Sequence, residues 1–260
     1  MSWIAALLIF GTVFLAGLLR GFTGFGFALA AVPVITLFLE PAAIVPAIPI
    51  VAMVAGAKQL RRAWGQANWH AIRRLLIGAV LGVPIGAMAL SLLPANVMRV
   101  AIGLVLLLAV LLLWRGYRFK QRPPTGAQLG IGLFSGLLNG ATAMGGPPVI
   151  LFFLASPEGV AVGRASLLVY FCFLSAWSIV TQAVGGLVDL RVIVLALLMI
   201  PVMALGNVIG DRMFDRASAT AYQRIALAFL VVIAILALAR PLMAADPDSE
   251  LASAERGVAE

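Results

Sequence analysis

Two ten-residue stretches carry the residue types that could do chemistry. GLLRGFTGFG at 17–26 and GLLNGATAMG at 136–145 share six of ten positions when Gly17 is set opposite Gly136. The identities are Gly17/Gly136, Leu18/Leu137, Leu19/Leu138, Gly21/Gly140, Thr23/Thr142 and Gly26/Gly145. Arg20 aligns with Asn139, so the pair supplies a guanidinium, an amide and two hydroxyls, all good partners for a small oxyanion. Glycine and proline inside an apolar block break the helix and free backbone groups that lipid cannot satisfy. The half-helices that follow would aim unpaired N–H groups and a positive dipole end at an anion. The candidate substrate-binding set is therefore Arg20, Gly21, Thr23, Gly24, Gly26, Asn139, Gly140, Thr142, Gly145, Gly146 and Pro147. Each has a plainer reading: Arg20 snorkelling to the interface, the threonines bonding back to their own helical turn, the glycines packing helices closely. Asn139 is harder to set aside, because an amide at membrane depth is costly without a partner.

The elements that must position these residues follow from composition. Of 260 residues, 63% are apolar and 11% charged, and mean hydropathy is +1.11. A soluble domain is about 45–50% apolar and about 25% charged. The solvent has to be lipid, which excludes a cytosolic enzyme, a disordered chain and a nucleic-acid-binding module. A spanning helix needs about 20 apolar residues. The blocks are 2–39, 41–57, 75–93 and 97–114, then 127–155, 160–184, 192–209 and 222–242. The first holds 38 residues, about 57 Å as a straight helix, and must break at RGFTGFGF. The expected fold is an all-α polytopic membrane protein of about eight transmembrane helices in two four-helix repeats. The first helix of each repeat is broken at its glycine motif. Residues 1–114 form the N-terminal repeat, 115–126 a linker, 127–243 the C-terminal repeat and 244–260 a disordered acidic tail. Broken helices at corresponding positions of two repeats are the best sequence pointer to a transporter's substrate site. If each long block crosses once, the repeats are parallel; if the first crosses twice, the N-terminus lies outside.

The net charge of +8 is mostly a topology signal. Nine basic residues lie in the loops 58–74 and 115–124, which the positive-inside rule places in the cytoplasm. Trp64, Trp69, Trp114 and Tyr117 cluster beside them as an interfacial belt. No signal-peptide cleavage pattern is visible. No Asp or Glu stands in the middle of a span; Glu40, Glu158, Asp189 and Asp211 sit at ends or in loops. That argues against a cation substrate and a carboxylate proton relay. One cysteine, Cys172, and one histidine, His70, leave no N/S metal site, no cofactor site and no nucleophile–base pair. No catalytic residue and no enzyme activity are expected.

RGFTGFGFALAAVPVI, followed about 120 residues later by NGATAMGGPPVILFFL, resembles the TauE/SafE family of sulfite and organosulfonate exporters. The likeness covers about residues 3–242. Many relatives have a glycine triplet in the first motif, where this chain has Gly-Phe-Gly-Phe after Arg20. The resemblance implies export of a small sulfur-containing anion, sulfite or an organosulfonate, across the bacterial inner membrane. The expected function is a secondary transporter working by alternating access. The alternative is an ion channel or a cation-coupled uptake permease. The expected partners are the small anion and the lipid bilayer, with no nucleic acid; a homodimer is compatible with the sequence.

Overall fold

The structure is a computed structural model that describes residues 3–114, 123–154 and 158–217. These residues form nine helices: α1 (Trp3–Thr23), α2 (Phe27–Ile35), α3 (Pro41–Ala63), α4 (Trp69–Leu92), α5 (Ala95–Trp114), α6 (Thr125–Thr142), α7 (Gly146–Leu154), α8 (Val160–Val184) and α9 (Leu190–Arg216). The last expected span, 222–242, the acidic tail and most of the linker lie outside the described residues. Helices α1, α3, α4, α8 and α9 are long and apolar enough to cross a membrane. The protein is thus a multi-pass helical membrane protein.

Both glycine motifs interrupt their blocks as expected. What each block becomes is a long helix and a half-helix. The 21 residues of α1 reach about 31 Å and suffice for a whole crossing, whereas the nine of α2 reach only about 14 Å. The same pattern recurs in α6 and α7, with 18 and nine residues.

Helix directions follow from who meets whom. A β-carbon on Gly17 would meet Met203, and one on Gly21 would meet Asn207, so α1 and α9 run parallel. Gly78, Gly82 and Gly86 meet Leu129, Leu133 and Leu137 in the same sense, so α4 and α6 run parallel. Asn207 bonds to Ala55 and Gln59 to Asp211, so α3 follows α9. The α3 and α8 pair is antiparallel: Ile48 and Ser175 share a cavity wall, while Trp64 stacks on Phe173 and Asn68 bonds to Ser166. Finally, Trp177 bonds to Val80 and shares a groove with Pro84, while Thr181 and Val184 share that groove with Met88 and Ser91; α8 thus follows α4. Helices α1, α3 and α9 therefore run one way, and α4, α6 and α8 the other. Corresponding helices of the two halves (α1 with α6, α3 with α8, α4 with α9) are opposed. The halves run inverted, not parallel. The physical reason is that the first block reverses at its motif, with α2 turning back along α1, so the condition for parallel halves fails.

The core is glycine-cemented. Gly132, Gly136 and Gly140 of α6 lie against the backbone of α4, and Gly206 and Gly210 of α9 lie against that of α1. Without a hydrophobic force between helices in lipid, such close approach supplies dispersion contacts instead. A β-carbon on Gly136 would lie 2.6 Å from the Ala79 carbonyl oxygen, an atom that cannot swing aside. Gly136→Leu is expected to cost about 3 kcal/mol, read as a lower unfolding midpoint in detergent; an unchanged midpoint would refute this packing.

Candidate substrate site

The turn after α1 is built by Thr23. Its hydroxyl donates to the Leu19 carbonyl at 2.8 Å and accepts from the Phe25 N–H at 3.2 Å. Thr142 does the same after α6, donating to Leu138 at 2.7 Å and accepting from Met144 at 3.2 Å. Both hydroxyls are thus engaged with backbone. Gly24 takes a φ of 84°, and its aligned counterpart Ala143 takes 58°, so both breaks turn through the left-handed region.

The two breaks meet. A cavity of about 50 Å³ is lined by Arg20, Phe25, Gly26, Phe27 and Leu29 from the first motif and by Asn139, Ala143, Met144 and Gly146 from the second. Helices α3 and α8 close it with Pro49, Ala52, Phe171 and Ser175. A water-sized group needs roughly 10–15 Å³ by this measure, so the space takes the few non-hydrogen atoms of a small oxyanion. Of the expected residues, Arg20, Gly26, Asn139 and Gly146 line it. Gly21 and Gly140 face partner helices instead, at Asn207 and Val83. Gly24 and Gly145 are spent on the turns themselves, where they abut Arg164 and Asn139. Pro147 is not part of the cavity wall.

Arg20 dominates the electrostatics. It is 4% exposed, yet its Nη1 has no hydrogen-bond partner. The ion pairs of Asp211 are with Arg62 and Arg164, and neither involves Arg20. The guanidinium does not snorkel to an interface; it folds against Gly56 of α3. A β-carbon there would lie 2.6 and 2.7 Å from Nη2 and Nη1. A buried, unpaired guanidinium in a low-dielectric site is unfavourable by several kcal/mol and is relieved by an anion.

The backbone adds to this field unequally. The first intrahelical bond of α2 runs from Ala30 N–H to Gly26 O at 3.0 Å, which leaves the N–H groups of Phe27, Ala28 and Leu29 at the cavity wall. Helix α7 starts with Gly146-Pro147-Pro148, and proline has no N–H to offer. The free backbone donors at the cavity wall thus concentrate on the first motif. The second contributes the amide of Asn139, whose Nδ2 donates to Ser178 Oγ at 2.6 Å. Its loop is fastened from behind, with Tyr170 donating to Ser135 at 2.9 Å and Ser135 to the Gly145 carbonyl.

Several site residues were not visible in the motifs. Gln59 and Gln182 each donate to the motif carbonyl of their own half, Gly21 at 3.5 Å and Gly140 at 3.4 Å. Gln182 stands inside the apolar block 160–184, a signal that could have found it, since a buried amide in lipid needs a partner. Gln59 lies in the stretch expected as the loop 58–74, which the structure instead divides between the end of α3 at Ala63 and the start of α4 at Trp69. Gly56, Phe171 and Ser175 carried no such signal. Among the described residues no group of three or more His, Cys, Asp or Glu side chains is placed to hold a metal ion.

Fold and cavity together define a polytopic helical membrane protein with a small, positively charged cavity between two broken helices. The chain belongs to the sulfite exporter TauE/SafE family, whose description matches residues 9–237. It is also 29% identical over 220 residues to a probable sulfite/organosulfonate exporter TauE of Cupriavidus necator, covering 81% of this chain and 85% of that protein. No solved structure matches.

Proposed function

We propose that this protein exports a small sulfur oxyanion, sulfite or a compact organosulfonate, from the cytoplasm across the bacterial inner membrane. The observation that carries the reading is the unpaired Arg20 guanidinium in a cavity walled by both glycine motifs. Family membership and the relative's name support the substrate class. The basic ends of α3, α4, α8 and α9 face the cytoplasm under the positive-inside rule, so α1 begins outside. The two halves form inverted repeats of four spans with one half-helix each, joined by the linker at 115–126. Alternating access then consists of the halves rocking about the cavity, a motion to which inverted repeats are suited.

An inside-negative potential suffices to drive the export. Each negative charge gains about 2.3 kcal/mol per 100 mV, equivalent to about a fiftyfold concentration ratio. Labelled sulfite uptake into inside-out vesicles tests the proposal. The flux is expected to saturate with sulfite and to rise when the lumen is made positive with a potassium gradient and valinomycin. A non-saturating, ohmic current would favour the channel, and a requirement for a sodium or proton gradient would favour the coupled permease.

A further inference from the structure

Beyond the cavity, on the basic side, lies a second group of anion donors whose acceptor is part of the chain. Asp211 of α9 accepts from Arg164 Nη2 at 2.7 Å, from Gln59 Nε2 at 3.2 Å and from Arg62 Nη1 at 3.3 Å. One carboxylate thus takes donors from α8 and from two turns of α3. We propose that Arg164, Gln59 and Arg62 form an entrance site for the exported oxyanion, and that the Asp211 carboxylate is a tethered stand-in that the arriving anion displaces. This rests on the export reading above.

Three features separate this arrangement from an ordinary ion pair. First, Arg164 and Gln59 are anchored independently of Asp211. Arg164 also donates Nε to the Phe22 carbonyl at 3.1 Å and Nη2 to the Gly21 carbonyl, and its guanidinium lies 3.9 Å from the Phe214 ring centroid. Gln59 is held to Gly21 as well. Remove the carboxylate and Arg164 and Gln59 stay where they are, while the exposed Arg62, which bonds to Asp211, would be free to swing onto an arriving anion. Second, the chemistry matches: a carboxylate and a sulfur oxyanion both offer paired oxygens to a guanidinium fork. Third, the site is in line with the cavity. Arg20 lies against Gly56, and Arg62 is six residues further along α3, about 9 Å nearer the basic end. Arg164 caps the residues immediately after Arg20. On this proposal an anion leaving Arg164 passes to Arg20, the residue before the Gly21 whose carbonyl Arg164 holds. Access is graded too: side-chain exposure falls from 67% at Arg62 to 11% at Arg164, with Asp211 at 18%.

The test uses the full chain purified in detergent, with sulfite as the probe in a calorimetric titration. Arg20→Gln removes the cavity's charge and is expected to leave only weak binding. Adding Asp211→Asn exposes the entrance donors and should tighten binding at least tenfold over Arg20→Gln alone. A further Arg164→Gln should abolish that gain. A double variant that binds no tighter than Arg20→Gln overturns the proposal. If Arg20→Gln alone binds like the wild type, the cavity reading has failed, while the gain on adding Asp211→Asn still decides the entrance site. In vesicles, single Asp211→Asn should lower the half-saturating sulfite concentration severalfold. A lower maximal rate at unchanged half-saturation means that the contact is only a structural tie, and would also overturn the proposal.

Discussion

Replacing Arg20 with glutamine should abolish sulfite flux in inside-out vesicles, by at least about a hundredfold, and at the same time make the anion-free protein more stable. The flux loss follows from charge. Arg20 is the buried cation of the cavity, and removing one partner of a desolvated charge pair is worth about 3 kcal/mol, or about two orders of magnitude. The stability gain follows from the same burial. The guanidinium is 4% exposed with Nη1 unpartnered, and a charged side chain at membrane depth is unfavourable by about 2.5–3.5 kcal/mol on insertion scales. Glutamine fills much of the volume and carries no charge, so the unfolding midpoint without anion should rise. Saturating sulfite should raise the wild-type midpoint, since a ligand that binds only the folded state stabilises it by mass action. The variant should show no such rise. A merely structural arginine predicts the reverse, a lower midpoint and a partial flux defect. The two quantities measured together separate the readings.

Gly56→Val should cut flux roughly tenfold to a hundredfold while leaving the protein folded. The new β-carbon would lie 2.6 Å from Arg20 Nη2 and 2.7 Å from Nη1. These atoms end a flexible side chain, so the guanidinium gives way and the helices do not. The cavity is only about 50 Å³, and a displacement of about 1 Å at a binding group is enough for an effect of this size. The loss should appear chiefly as a higher half-saturating sulfite concentration, with an unfolding midpoint close to the wild type. Gly56→Val that transports with wild-type affinity would mean that Arg20 does not need this seat.

Much of this site was legible in the sequence, for a physical reason. Breaking a helix in lipid strands backbone groups, so RGFTGFGF and NGATAMGGPP had to be buried in protein or face a cavity. Arg20 and Asn139 followed because polar groups at that depth need partners. The aligned pair Gly24 and Ala143 sits at the same point of both turns, as a duplication would have it. Other motif residues have plainer uses. The hydroxyls of Thr23 and Thr142 close their own turns, and Gly21 and Gly140 bring helices together. Spacing alone does not separate a glycine that faces a ligand from one that faces a helix.

Direction was harder to read than existence. Hydropathy marks where a block is apolar but not where the chain reverses inside it, so the first block could be one interrupted crossing or a crossing and a half-return. The 21-residue length of α1 decides for the second, and the inversion of the halves follows. Gly56 was invisible because a glycine's neighbour is set by tertiary packing. Arg164 and Asp211 are 47 residues apart in sequence; each reads as a charge near a helix end, and only the fold joins them beside the first motif.

The proposed role of Arg20 is to hold the transported anion. Calorimetric titration of sulfite into the purified protein tests it most directly, with wild type and Arg20→Gln compared in the same detergent. The expected result is one saturable site per chain in the wild type and binding weakened by about a hundredfold or more in the variant. Equal affinity in a folded Arg20→Gln protein would mean that the anion is held elsewhere than at Arg20.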